Sequence, residues 1–200
     1  MAVLALPFLL GAITRAKVTK SNGDVRAYEE ALELFFLDWK VYPRDHFSAW
    51  PYWHPQKYGF TTLTTPTQYL MDLPIDPFGN SHLPPDTLGI SGKLSLYYSG
   101  GSGSDSEACG GLAHYSDRSR LLRNPSCIHA YLVTGHGPDG WKHTHVPSAF
   151  PAGDDFAYPV SMITYSPTNG LRSFGDIFTM VGDWKRGYVQ VDFADIATGP

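Results

Sequence analysis

Cys127 and His129 stand two residues apart in RNPSCIH, and a thiol beside an imidazole is the pairing that makes a cysteine nucleophile; His114 is the alternative base. No cysteine-hydrolase signature surrounds them, and the chain has no serine elbow, phosphate-cradling glycine loop or paired-carboxylate pattern. His143 and His145 lie two apart in WKHTHV, with His136 nearby. Strand spacing puts the first two on one face, as in a zinc pair, but no cysteine or carboxylate completes a site by local spacing. Cys109 and Cys127 are eighteen apart, both in loop-like sequence. In an oxidising compartment they close as a disulfide worth roughly 3 kcal/mol; in a reducing one they stay free thiols. Trp50, Tyr52 and Trp53 belong to an aromatic loop. Exposed, such rings stack on sugars or fill a partner's pocket; buried, they cover the sheet and helix. On residue types the expectation is a chain with no catalytic residues, not an enzyme, and with no cofactor.

The elements that position these residues begin with an apolar stub, MAVLALPFLLGAI, running into an amphipathic stretch that ends near KVYPRD. Val18, Val25, Tyr28, Leu32, Phe35 and Trp39 recur at sevens, threes and fours, which is one helical face, widened by Leu34 and Phe36. Helix over about 2–40 is roughly 60 Å long. Pro7 predicts a kink or a melted turn, and Pro43 ends the helix because the residue before proline avoids the α region. The uncharged stub is too short to span a bilayer alone, which takes about twenty residues, and it lacks the basic flank and cleavage site of a signal peptide. Its oily end argues for a stem buried against membrane or other copies, and hence for export, which favours the disulfide.

The remainder reads as one head. Two hundred residues with 42% hydrophobic and 17% charged content support one real core. A net charge of −4 with scattered Lys and Arg excludes nucleic acid as an expected partner. Glycine, proline and aromatics concentrate after residue 40, predicting long loops and short strands. A short helix is expected through Tyr69 to Met71, then a turn over Asp76 to Asn80. Strands are expected around 94–98, 128–134, 162–165 and 173–180, with an edge strand near the C-terminus. Two segments are expected: a helical stem over 1–40, and a head over 41–200 that forms one domain with the stem's second half.

The order of ALP before AKV, YEEALELFFLDWKVYP, YLMDLPIDPFGN, YLVTGHGPDG and YSPTNGLRSFGDIF resembles the type IV pilin-like family, closest to the major pseudopilins of type II secretion systems. The pairing of the helix-to-YP junction with LPIDPFGN is the more specific part. The resemblance implies an α+β fold, a long N-terminal α-helix packed on a small antiparallel β-sheet with long loops. It also implies a structural subunit of a pilus-like or pseudopilus filament, assembling through its N-terminal helix. The family's leader peptide, cleavage site and first mature turns have no counterpart here; the chain begins about where the proline-bearing mid-stem would be.

Carried onto this chain, the resemblance assigns Leu4, Leu6, Pro7, Phe8, Leu9 and Leu10 to packing between stems. Val25, Tyr28, Leu32, Phe35 and Trp39 join helix to sheet. Its expected partners are other copies, related pseudopilins and the bacterial inner membrane, with the head in the periplasm or on an extracellular filament. Major pseudopilins carry a calcium site in a late loop, and GHGPDG with Asp139, followed by Asp154 and Asp155, is the loose match; six to eight oxygens would be needed. The alternative is an extracellular module that binds a glycan or protein at the aromatic loop.

Overall fold

Helix α1 runs without interruption over Ala2–Trp39. The computed structural model describes residues 2–43, 59–79, 98–100, 128–141, 143–144, 150–151, 160–170, 173–187, 189–192 and 195–197. Of the kink or melted turn expected at Pro7, the melted turn does not occur. The proline's missing N–H deprives only the carbonyl four residues back, one bond in a long cooperative ladder. The C-terminus falls within one residue of the expected Lys40, but Pro43 is not what ends the helix. Lys40 adopts φ 59°, while its N–H still reaches the Phe36 carbonyl at 2.8 Å. This left-handed residue stops the helix three positions before Pro43. The reversal turns Val41 and Tyr42 inward, where both are buried.

One face of α1 makes the core. Val25, Tyr28, Ala31, Leu32 and Phe35 are buried with Tyr131, Val133, Ile177 and Val181; Val18, Phe36 and Trp39 pack partly against them. Leu34, expected to widen this face, is 50% exposed instead. It lies two helical steps from Leu32, about 200° around the helix, so it points away from the sheet.

Residues 59–79 strap the helix. A 3-10 turn over Gly59–Leu63 sets the Phe60 ring 4.2 Å from that of Tyr28. The expected helix through Tyr69 does not form, because the Tyr69 and Leu70 N–H groups both donate to the Leu63 carbonyl, at 2.8 and 2.9 Å. The strap then runs back along α1. Tyr69 Oη donates to Asp38 at 2.7 Å, Tyr28 Oη donates to the Pro74 carbonyl at 3.3 Å, and Lys20 Nζ donates to the Ile75 carbonyl at 3.2 Å. The Lys17 ammonium lies 5.7 Å above the Phe78 ring. The expected turn follows, closed by Gly79 N–H on the Asp76 carbonyl at 3.2 Å.

The sheet under the helix has the order β1-β2-β4, with β1 over Tyr98–Gly100, β2 over Ala130–Gly135 and β4 over Ile177–Gly182. Both pairings are antiparallel, and Tyr131 faces Val181 while Gly135 faces Ile177. Every residue of β2 is buried. Tyr131 and Val133 serve the helix side. Ala130 and Leu132 serve a second core with Phe150, Val160, Met162 and Val189. That second core is backed by a small sheet of order β3-β5-β6, over Val160–Met162, Val189–Val191 and Asp195–Ala197. Its β3–β5 pair is parallel.

Leu32 is fully buried. A Leu32→Asp chain is expected to lose about 5 kcal/mol, from lost packing plus a buried carboxylate, enough to unfold a small domain. Leu34→Asp, on the exposed side, is expected to change stability by less than about 0.5 kcal/mol. Chemical denaturation checks the pair, and equal midpoints for the two variants contradict this assignment of faces.

Candidate functional site

Two regions carry the side chains with functional potential: the outer face of α1 and the loops at one end of the main sheet. On the helix, Phe8, Leu9 and Leu10 are 78%, 57% and 53% exposed, and Ile13 and Leu37 are exposed as well. Leu4, Leu6 and Pro7 precede them in the same helix. Val25, Tyr28, Leu32 and Phe35 lie in the core and Trp39 packs partly against it, its Nε1–H donating to Tyr69 Oη at 3.1 Å.

The loop end is built around two buried aspartates that the sequence reading did not single out as site residues. Asp176 accepts from the His143 N–H at 3.0 Å, the Thr144 N–H at 2.7 Å and the Thr144 hydroxyl at 2.6 Å. Asp76 accepts from the Phe78 N–H at 2.9 Å and the His136 N–H at 2.7 Å, and its Oδ2 meets His136 Nδ1 at 3.0 Å. A carboxylate stripped of water needs such donors. Each aspartate therefore joins segments distant in the chain: strap to β2 in one case, the loop after β2 to the start of β4 in the other. Backbones meet there too. A Cβ on Gly137 would stand 1.8 Å from the Gly175 carbonyl oxygen, and Gly175 has φ 118°. Both positions require glycine. The available signal was an acid among apolar neighbours, in PIDPF and FGDIF.

Asp139 is part of the same end. Its Oδ1 accepts from the Trp141 N–H at 3.1 Å, and its Oδ2 lies 2.7 Å from His143 Nε2. The His143 ring in turn sits 3.8 Å from Phe174, centroid to centroid. The oxygens of Asp76, Asp139 and Asp176 all face N–H or O–H donors. Among the described residues no three His, Cys, Asp or Glu side chains come together as metal ligands. Of Asp139, Asp154 and Asp155, the acids named for calcium, Asp139 alone is among the described residues. Asp154, Asp155, Cys109, Cys127, His114, His145, Trp50, Tyr52 and Trp53 lie outside the described residues.

His129 starts β2 from the opposite end. Its ring lies 5.7 Å from Phe36, edge to face, and its buried Nδ1 has no hydrogen-bond partner among the described residues. Burial pushes the imidazole below its ordinary value; Asp183 opposes this and Arg186 adds to it.

Asp176→Ala leaves three donors facing an apolar side chain, and a loss of about 3 kcal/mol is expected by denaturant titration; a change under about 0.5 kcal/mol contradicts the latch. For His129 the sign follows from proton uptake. An unfolded histidine takes its proton near about pH 6.5, the folded one only at lower pH. The unfolded chain thus binds more protons in that window, and the His129 contribution is lost as pH falls below about 6.5. His129→Phe is expected to lose less stability than the parent between about pH 7 and about pH 5, and parallel stability curves contradict this.

The chain matches no family model and no solved structure. It is similar to the type II secretion system core protein G of Pseudomonas aeruginosa, with 31% identity over 112 residues that cover 52% of this chain and 74% of that protein. A long N-terminal helix laid on a small antiparallel sheet is the fold that accompanies this likeness. The chain belongs to the type IV pilin-like family, together with that core protein, a major pseudopilin.

Proposed function

We propose that this chain is a structural subunit of a pseudopilus or type IV pilus-like filament, assembling through α1 with copies of itself and related pseudopilins. The observation that carries the proposal is the apolar surface of the helix that the head leaves uncovered. Phe8, Leu9, Leu10 and Ile13 stand exposed beyond the head, and Leu34 and Leu37 stand exposed on the side turned from the sheet. Large apolar residues that the fold leaves open, around the stem from Phe8 to Ile13 and on the far side at Leu34 and Leu37, are the mark of an interaction surface. Covering each side chain removes roughly 1.5–3 kcal/mol of exposed apolar surface. A helix held rigidly by its other face loses little conformational entropy on docking.

The reading divides the chain into a stem over 1–40 and a head over 41–200. It locates the stem in the bacterial inner membrane before assembly, with the head on the outer side. No helix among the described residues is long and apolar enough to cross a membrane. In this reading the role is structural and employs no catalytic residue. Similarity to a type II secretion core protein supports it at the level of the family.

Ile13→Glu with Leu37→Glu is the direct test, since both side chains are exposed and the fold is expected to tolerate them within about 1 kcal/mol. The parent is expected to form oligomers by analytical ultracentrifugation and the folded double variant to remain monomeric. A parent that stays monomeric at every accessible concentration, or a variant that assembles equally well, refutes helix-mediated assembly.

A further inference from the structure

The loop end of the sheet lies level with the point where the stem leaves the head. The strap fixes this geometry: Lys20 donates to the Ile75 carbonyl, the next residue, Asp76, grips His136 just after β2, and β2 ends where β4 begins, at Gly135 and Ile177. The other end of β2 is near the far end of the helix, with His129 against Phe36. Three large apolar side chains are exposed at the stem end: Ile75 at 55%, Trp141 at 72% and Phe174 at 57%. They are firmly based. Asp139 holds the Trp141 backbone and pairs with His143, whose ring packs at a tilt against Phe174. Beside them α1 presents Arg15, Lys17 and Lys20, all exposed, with Asp24 paired to Lys20. Beyond Arg15 the stem has no charged residue.

We infer that this end of the head rests on the surface of an anionic lipid bilayer, with Trp141, Phe174 and Ile75 in the interfacial layer and Arg15 and Lys17 against lipid phosphates. The inference deepens the membrane part of the proposed function and rests on it. Three features on one face select a bilayer over another occupant. Tryptophan and phenylalanine favour the zone between water and acyl chains, where amphipathic rings are at home. Long cationic side chains next to an apolar segment lay their stems along it and place their charge among headgroups. The apolar stem from Arg15 back to Ala2 is about 20 Å long, enough to enter a hydrocarbon core about 30 Å thick from that face.

The acids late in α1 do not oppose this. Glu30, Glu33 and Asp38 lie toward the far end of the helix, about 20 Å or more from Lys17, beyond a screening length of about 8 Å. Asp139, which holds the Trp141 backbone, faces His143.

The test uses the full chain with vesicles of phosphatidylglycerol and phosphatidylcholine, and with phosphatidylcholine alone. Lipids brominated just below the headgroup are expected to quench part of the tryptophan emission, and Trp141→Phe is expected to remove that part while melting like the parent. Arg15→Glu with Lys17→Glu is expected to weaken binding to the anionic vesicles by about tenfold or more. Binding to phosphatidylcholine alone is expected to change little. Binding through the stem with Trp141 unquenched overturns the inference and leaves membrane attachment of the stem intact. Absence of binding to either vesicle overturns both. Shielding of Trp141 in a lipid-free oligomer assigns the face to a second copy and overturns it as well.

Discussion

Strand β2 is buried on both faces over its whole length, and that constraint organises the molecule. A six-residue strand with no solvent side must be covered twice. The helix stripe around Tyr28 and Leu32 supplies one cover. Phe150, Val160, Met162 and Val189 supply the other. Neither cover is stable alone in water. A helix of this composition needs its apolar face packed, and three-residue strands such as β3 and β5 have too little surface to stand free. Helix, main sheet and second sheet are therefore mutually dependent, and the head's order reaches outward from the Tyr28–Leu32–Tyr131 contact.

Hydrophobic burial does not by itself fix loops, and here carboxylates do so. Asp76 and Asp176 each turn a pair of backbone segments toward one buried anion. Such bonds gain from the low dielectric of the interior, and removing the anion leaves the donors unsatisfied. Directional latches of this kind explain how residues 135–141, 143–144 and 173–176 hold a defined shape with little regular structure. They also explain why rings as large as Trp141 and Phe174 can be carried on loops without collapsing into the core.

What the sequence made legible was local. The helix stripe repeats at the helical period over three turns, so Val25, Tyr28, Leu32 and Phe35 announce one face whatever they pack against. The apolar run in β2 and the PIDPFGN turn are read in the same way. Lys40 was not legible as a helix stop, because left-handed caps are usually glycine and nothing in a lysine marks one. The parallel β3–β5 pair was not legible either, since pairing between strands far apart in the chain leaves no local period. The latches fall in this class: Asp76 and His136, or Asp176 and Thr144, are brought together by the fold and by no spacing rule. Asp139 was named through the resemblance, and its contact with His143 is made by the fold, which the resemblance did not supply.

Along α1 the composition changes in a definite order, from uncharged and apolar, through basic, to acidic beyond Arg26. The head engages the helix over the last part of this gradient and leaves the outer face unused. Stability of the head and chemistry of the outer face are thus nearly independent: Leu34 and Leu37 stand in solvent while Leu32 and Phe35, two residues before each, carry the core. Substitutions on the outer face can alter what the subunit touches without unfolding it, and substitutions on the inner face can do little else than unfold it. A rod that separates the two functions by rotation alone needs stiffness over its whole length. The unbroken helix through Pro7, and the strap bonded to it near Lys17, Lys20, Tyr28 and Asp38, supply that stiffness at the head and carry it outward into the stem.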